Sequence, residues 1–94
     1  MGTRSRPRPA NLSRKLRQIR IGLQLSQAEM VRRLGFEDSF HVGRISEFES
    51  NVREPSLLIL LAYARIAQVH LEDIVDDAVD LPARLPGPVV YDRT

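Results

Sequence analysis

Ser26-Gln27-Ala28-Glu29 constrains this chain more than any other stretch. It reads as a capping box. The serine hydroxyl accepts from the amide three residues on, and the glutamate reaches back to the serine amide, so the helix can start at one residue only. Leu25 before the cap is placed to staple against Met30. Met30, Val31 and Leu34 carry the apolar spacing, and Gly35 supplies a left-handed stop. A short helix with both ends fixed must turn sharply and pack its neighbours close by.

The neighbours are also helical. A first helix is expected from about Asn11 to Leu23, with Leu12, Leu16, Ile19 and Leu23 on one face and Asn11 as N-cap. Gly22 weakens its end. After Gly35 comes a connector, Phe36 to Phe40. A third helix is expected from about Phe40 or His41 to Ser50, capped by Asp38, Ser39 or His41. In it Ile45 and Phe48 point one way, and Arg44 and Glu47 the other. Asn51 is suited to a left-handed C-cap. Pro55-Ser56 opens a fourth helix to about Gln68, and a short fifth runs from Leu71 to about Asp77. Beyond Leu81 the chain is interrupted by Pro82, Pro86 and Pro88 and ends in Val89-Val90-Tyr91. Five helices without a strand predict a compact all-α fold.

Composition limits what such a fold can do. Ninety-four residues allow one domain with a modest core, and 43% apolar residues are enough to build it. Cysteine is absent, which excludes disulfides and thiolate metal sites. With only His41 and His70 as imidazole donors, no metal and no cofactor is expected. No nucleophile cluster, glycine-rich phosphate loop or calcium-loop spacing is present, so an enzyme is not expected. The longest apolar run, Leu57 to Ala64, is too short for a bilayer, and the N-terminus lacks a signal peptide's apolar stretch. The expectation is a soluble cytoplasmic protein without membrane association.

Charge is unevenly distributed. Residues 1–20 hold Arg4, Arg6, Arg8, Arg14, Lys15, Arg17 and Arg20 and no acid; residues 72–80 hold five acids and no cation. One end therefore suits a polyanion and the other does not. Thirteen of the fourteen cations are arginine, which suits forked contacts to phosphate and guanine.

A capped helix, a glycine-ended turn and a second short helix form a helix-turn-helix pattern. Leu16-Arg17, Ile19-Arg20, Leu25 to Glu29, Leu34-Gly35, Ile45-Ser46, Phe48-Glu49 and Pro55-Ser56-Leu57 together resemble the Cro/phage-repressor (XRE-like) DNA-binding family. The resemblance covers about Leu12 to Val75. It implies a repressor-like five-helix domain that binds double-stranded DNA, with the helix-turn-helix at helices two and three. The expected organisation is then a disordered basic arm (1–10), the helix-turn-helix domain (11–77) and a Pro-containing tail (78–94).

The resemblance also implies site residues. Base edges would be read by His41, Val42, Gly43, Arg44 and Glu47 at the exposed start of the third helix. Arg44 suits a guanine, Glu47 a cytosine N4 and Val42 a thymine methyl; His41 suits a base or a phosphate. A charged pair on a solvated helix face is the competing account of Arg44 and Glu47. Phosphates would be met by Gln27, Ser26, Arg17, Ser46 and Arg53. Arg20 and Glu49 match a structural salt bridge. Two departures from the family stand out: the connector from Phe36 to Phe40 is longer than usual, and Gly43 replaces a reading side chain. The arm residues Arg4, Arg6 and Arg8 suit either a minor groove or a solubilising tail.

The fourth helix is too apolar for a helix exposed on one side. Leu57, Leu60, Leu61 and Ala64 form the expected core stripe, leaving Leu58, Ala62 and Ile66, with Val69 beyond them, for a further surface. Its candidate covers are, in order, a second copy of the chain, the tail from Leu81 to Tyr91, and another protein. The leading functional expectation is a transcriptional regulator that binds a palindromic operator as a homodimer. The alternative is an antitoxin-like or anti-regulator protein-binding module, which would use the C-terminal tail and the apolar face of the fourth helix.

Overall fold

Five α-helices follow in order in this computed structural model, which describes residues 7–85: α1 (Leu12–Gly22), α2 (Gln27–Leu34), α3 (Val42–Glu49), α4 (Leu57–Ala67) and α5 (Leu71–Val75). There is no strand among the described residues. The all-α expectation and its order of elements hold.

The capping box forms as the sequence predicts. Ser26 Oγ accepts from the Glu29 amide at 3.0 Å, and the Ser26 amide donates to Glu29 Oε1 at 2.7 Å. Gly35 ends α2 in the left-handed region, with φ of 83°. This fixes the length of α2, and its face of Met30, Val31 and Leu34 is buried against α3 and α4. The Phe36–Phe40 connector forms a single turn that is not continued into a helix, closed by the Ser39 and Phe40 amides donating to the Phe36 carbonyl. Phe40 is buried, stacked on Phe36 and set edge-on to Phe48 at 5.9 Å between centroids. The long connector thus buries one of its aromatic rings as part of the core.

Several sequence expectations are corrected. Asn11 occupies the N-cap position of α1, but its side chain makes no capping hydrogen bond; its amide donates to Asp77 instead. Leu57 is not in the core stripe of α4. It is 68% exposed, and the buried face is Ile59, Leu60, Tyr63, Ala64 and Ala67. The stripe is displaced because α4 offers no polar face to orient it, so the packing of α1, α2 and α5 decides its rotation.

Lys15, counted with the basic end, is fully buried. Its Nζ donates to the carbonyls of Asp73, Asp76 and Val79 at the end of α5 and in the turn beyond it. Residues past α5 therefore run back along α1. Leu81 and Leu85 join the core, and Gln18 donates to the Pro82 carbonyl. Gly22, at the end of α1, permits this approach: a Cβ there would lie 2.8 Å from Leu85 Cδ1. The described part of the tail thus covers α1 and not the outer face of α4. Its remainder, with Val89, Val90 and Tyr91, lies outside the described residues.

Candidate nucleic-acid interface

Two anchors set the orientation of α3. Ile45 and Phe48 are buried, each burial worth about 1.5–3 kcal/mol. The helix therefore turns His41, Val42 and Ser46 to solvent, with Gly43, Arg44 and Glu47 half-exposed beside them. The expected base-reading residues are thus all exposed or half-exposed on the solvent side of α3.

The start of that face is built by His41. Its Nδ1 accepts from the Gly43 amide at 3.1 Å and caps α3, which begins at Val42. Of the three candidate caps, the imidazole takes the position. A Cβ on Gly43 would come within 2.9 Å of His41 Cε1 and 3.1 Å of Nδ1. Glycine at 43 makes room for the capping ring.

Next to it the charged residues form a small network. Glu47 Oε1 accepts from Arg53 Nε at 2.9 Å and faces Arg44 Nε at 3.4 Å. Arg53, and to a lesser degree Arg44, hold the Glu47 carboxyl below the ordinary carboxylate range. The Arg44 guanidinium also lies 5.7 Å from the Phe40 ring centroid. Ser50 Oγ donates back to the Ser46 carbonyl at 2.9 Å.

Behind α3 stands the expected brace. Arg20 Nε and Nη2 grip Glu49 at 2.7 and 3.0 Å, and Nη1 donates to the Leu25 carbonyl. The hydrogen bond to Glu49, outweighing desolvation, holds the Arg20 guanidinium even more firmly charged than usual. Gln27 Nε2 donates to Glu49 Oε1 at 3.3 Å, so this first-turn residue leans on the brace. The Ser26 hydroxyl is engaged in the capping box, while Arg17 is exposed on α1. Tyr63 packs nearby with its hydroxyl buried and without a hydrogen-bond partner among the described residues; burial pushes its pKa well up.

Of the arm, Arg4 and Arg6 lie outside the described residues. Arg8 Nη1 donates to the Asn51 carbonyl at 3.0 Å. Asn51 is left-handed, with φ of 66°, just past α3. On α4, Leu58 is 68% exposed, and Ala62 and Ile66, with Val69 just beyond the helix, are half-buried. Leu58, Ala62 and Ile66 line an apolar groove with Leu34, Phe36 and Leu61, rimmed by Arg33 and Arg65. Sequence reasoning missed that rim, because both arginines sit in last turns of helices where they read as partners of the helix dipole. Asp77 was also missed as a partner of the arm. Among the described residues no cluster of His, Asp and Glu could hold a metal ion, and no helix is long and apolar enough to cross a membrane.

A helix-turn-helix family model matches residues 16–74, from the middle of α1 into α5. Neither a curated protein nor a solved structure matches the chain.

Proposed function

Because the chain belongs to the Cro/phage-repressor (XRE-like) helix-turn-helix family, we propose that it is a transcriptional regulator that binds a palindromic operator as a homodimer with α3 in the major groove. The family is one of DNA-binding regulatory domains, and no catalytic role is part of this reading.

The observation that carries it is the outward face of α3 above its buried anchors, Ile45 and Phe48. In this reading Arg44 pairs with a guanine, Glu47 accepts from a cytosine N4, and Val42 meets a thymine methyl. His41, whose Nδ1 is engaged in the cap, offers its Nε2 edge to a phosphate or base, and Gly43 lets the helix start lie close. Ser26, Gln27, Arg17, Ser46 and Arg53 meet phosphates, and Arg4, Arg6 and Arg8 reach the minor groove. The contacts among Arg44, Glu47 and Arg53 do not oppose this. Surface ion pairs are worth about 0–1 kcal/mol, whereas a good bidentate base contact discriminates by about 1–3 kcal/mol. DNA can therefore displace the pairing. Leu58, Ala62, Ile66 and Val69 form the homodimer face, and the cytoplasm, where the DNA is, is the compartment.

Selection of bound duplexes from a random pool tests the reading. The expected product is a palindrome whose half-sites lie about one helical turn apart. Arg44→Ala should cost about 1–3 kcal/mol and relax preference at one position per half-site. Binding without any sequence preference would overturn it. The exposed Leu57 and Leu58 beside the apolar groove favour one second reading, a protein-binding module that docks its partner on α4. Leu58→Glu separates the two: loss of operator binding together with loss of the dimer supports the regulator, and retained monomeric DNA binding supports the module.

A further inference from the structure

Two contacts fix the path by which the chain enters α1. The Asp77 carboxylate, just past α5, accepts from the amides of Ala10 at 2.7 Å and Asn11 at 3.0 Å. Arg8 Nη1 donates to the carbonyl of Asn51 at 3.0 Å and lies 3.4 Å from its Oδ1. Residues 8–11 thus cross from the end of α5 to the end of α3. Arg53 lies two residues beyond Asn51, on the same loop. The crossing therefore sets Arg8 next to the loop that carries Arg53. The carbonyls at the end of α3 carry negative partial charge and favour the Arg8 guanidinium there.

We propose that Asp77 is a positioning residue for DNA binding: it clamps the base of the basic arm beside the phosphate-contacting α3–α4 loop, so that the arm is presented to the minor groove from a fixed point. The proposal rests on α3 being the helix that faces DNA. An arm held at its base has a higher effective concentration at the duplex than one that swings freely, and part of its ordering cost is met before binding. The Ala10 and Asn11 amides also hold the Asp77 carboxyl below the ordinary carboxylate range, so the clamp is formed at neutral pH.

The proposal predicts the opposite sign to simple electrostatics. Removing a carboxylate makes the protein more positive, which alone would tighten binding to a polyanion. Loss of a clamp weakens it.

The test uses the full chain and a random-sequence duplex of about three helical turns, titrated by fluorescence anisotropy over a range of salt. Asp77→Asn should weaken binding by about threefold to tenfold near 0.1 M salt and lower the salt slope by about one to three ions. In a variant carrying Arg4→Ala, Arg6→Ala and Arg8→Ala, adding Asp77→Asn should change neither quantity. Ala10→Pro removes one donor while keeping Asp77 and should reproduce part of the loss; it carries the test if Asp77→Asn does not fold. Unchanged or tighter binding by folded Asp77→Asn overturns the clamp, as does an equal loss in the arm-neutralised background. If the wild-type chain binds no duplex at all, the DNA-binding reading falls with it. Wild-type binding with an unaltered slope in Asp77→Asn removes the clamp alone.

Discussion

Arg20 on α1 and Glu49 at the end of α3 form a two-pronged ion pair whose side chains are only 12% and 5% exposed. The pair ties the helix that carries the candidate reading face to the helix that carries the core. Removing one partner strands the other charge in a poorly solvated site. Arg20→Ala is therefore expected to cost about 2–4 kcal/mol in urea denaturation, with Glu49→Ala similar. Replacing both with apolar residues, Arg20→Met with Glu49→Leu, should restore part of the loss, because no unpaired charge remains. Arg20→Lys keeps the charge but loses the fork and the bond to Leu25, and should fall between. A wild-type midpoint for Arg20→Ala would show that the pair contributes little.

His41 and Gly43 set two effects of similar size against each other. Alanine is favoured over glycine inside a helix by about 1 kcal/mol. Yet the added Cβ would displace the capping imidazole, and losing an N-cap costs about 1 kcal/mol. Gly43→Ala should therefore change stability by less than about 1 kcal/mol while altering the start of α3. Nitrogen NMR of His41 checks this. With Nδ1 accepting from Gly43, the neutral ring carries its proton on Nε2, and that tautomer preference should weaken in Gly43→Ala. His41→Ala should lose about 1 kcal/mol, which His41→Ser recovers. An unchanged tautomer in Gly43→Ala would mean that the ring does not need the space.

How much of this could be read in the sequence depended on how local the cause was. The start and end of α2 were legible because the capping box and Gly35 act within a few residues. The two sides of α3 were legible because Ile45 and Phe48 alternate with Arg44 and Glu47 at helical spacing. The rotation of α4 was not, since its apolar residues run almost all round and only tertiary packing chooses Ile59 over Leu57. The sharing of Glu47 by Arg53 was hidden too, because it requires Asn51 to turn the chain back past α3. Asp77 looked like one solvated acid among five, and only the return of the chain end to α1 gives it Ala10 and Asn11 as partners.

Lys15 gives the sharpest case of a charge whose role is set by distant residues. Its neighbours in sequence suggest a surface cation, but its ammonium is enclosed and meets the carbonyls of Asp73, Asp76 and Val79. Those carbonyls lie at and beyond the end of α5, where helical partners run out and the helix dipole favours a cation. Lys15→Met keeps nearly the same stem and removes only the donors. Hydrogen bonds to a charged group contribute about 1.5–3 kcal/mol, and an acceptor left unsatisfied costs about 1–3 kcal/mol, so the variant should lose about 2.5–6 kcal/mol in all. The loss should be local as well as global. Amide exchange should quicken in α5 and along residues 79–85, whose return to α1 depends on the turn that Lys15 holds, while α2 and α3 keep their relative order of protection. Lys15→Ala adds a cavity and should be worse. A Lys15→Met protein as stable as wild type, with unchanged exchange in α5, would show that burying the charge costs as much as its three hydrogen bonds return.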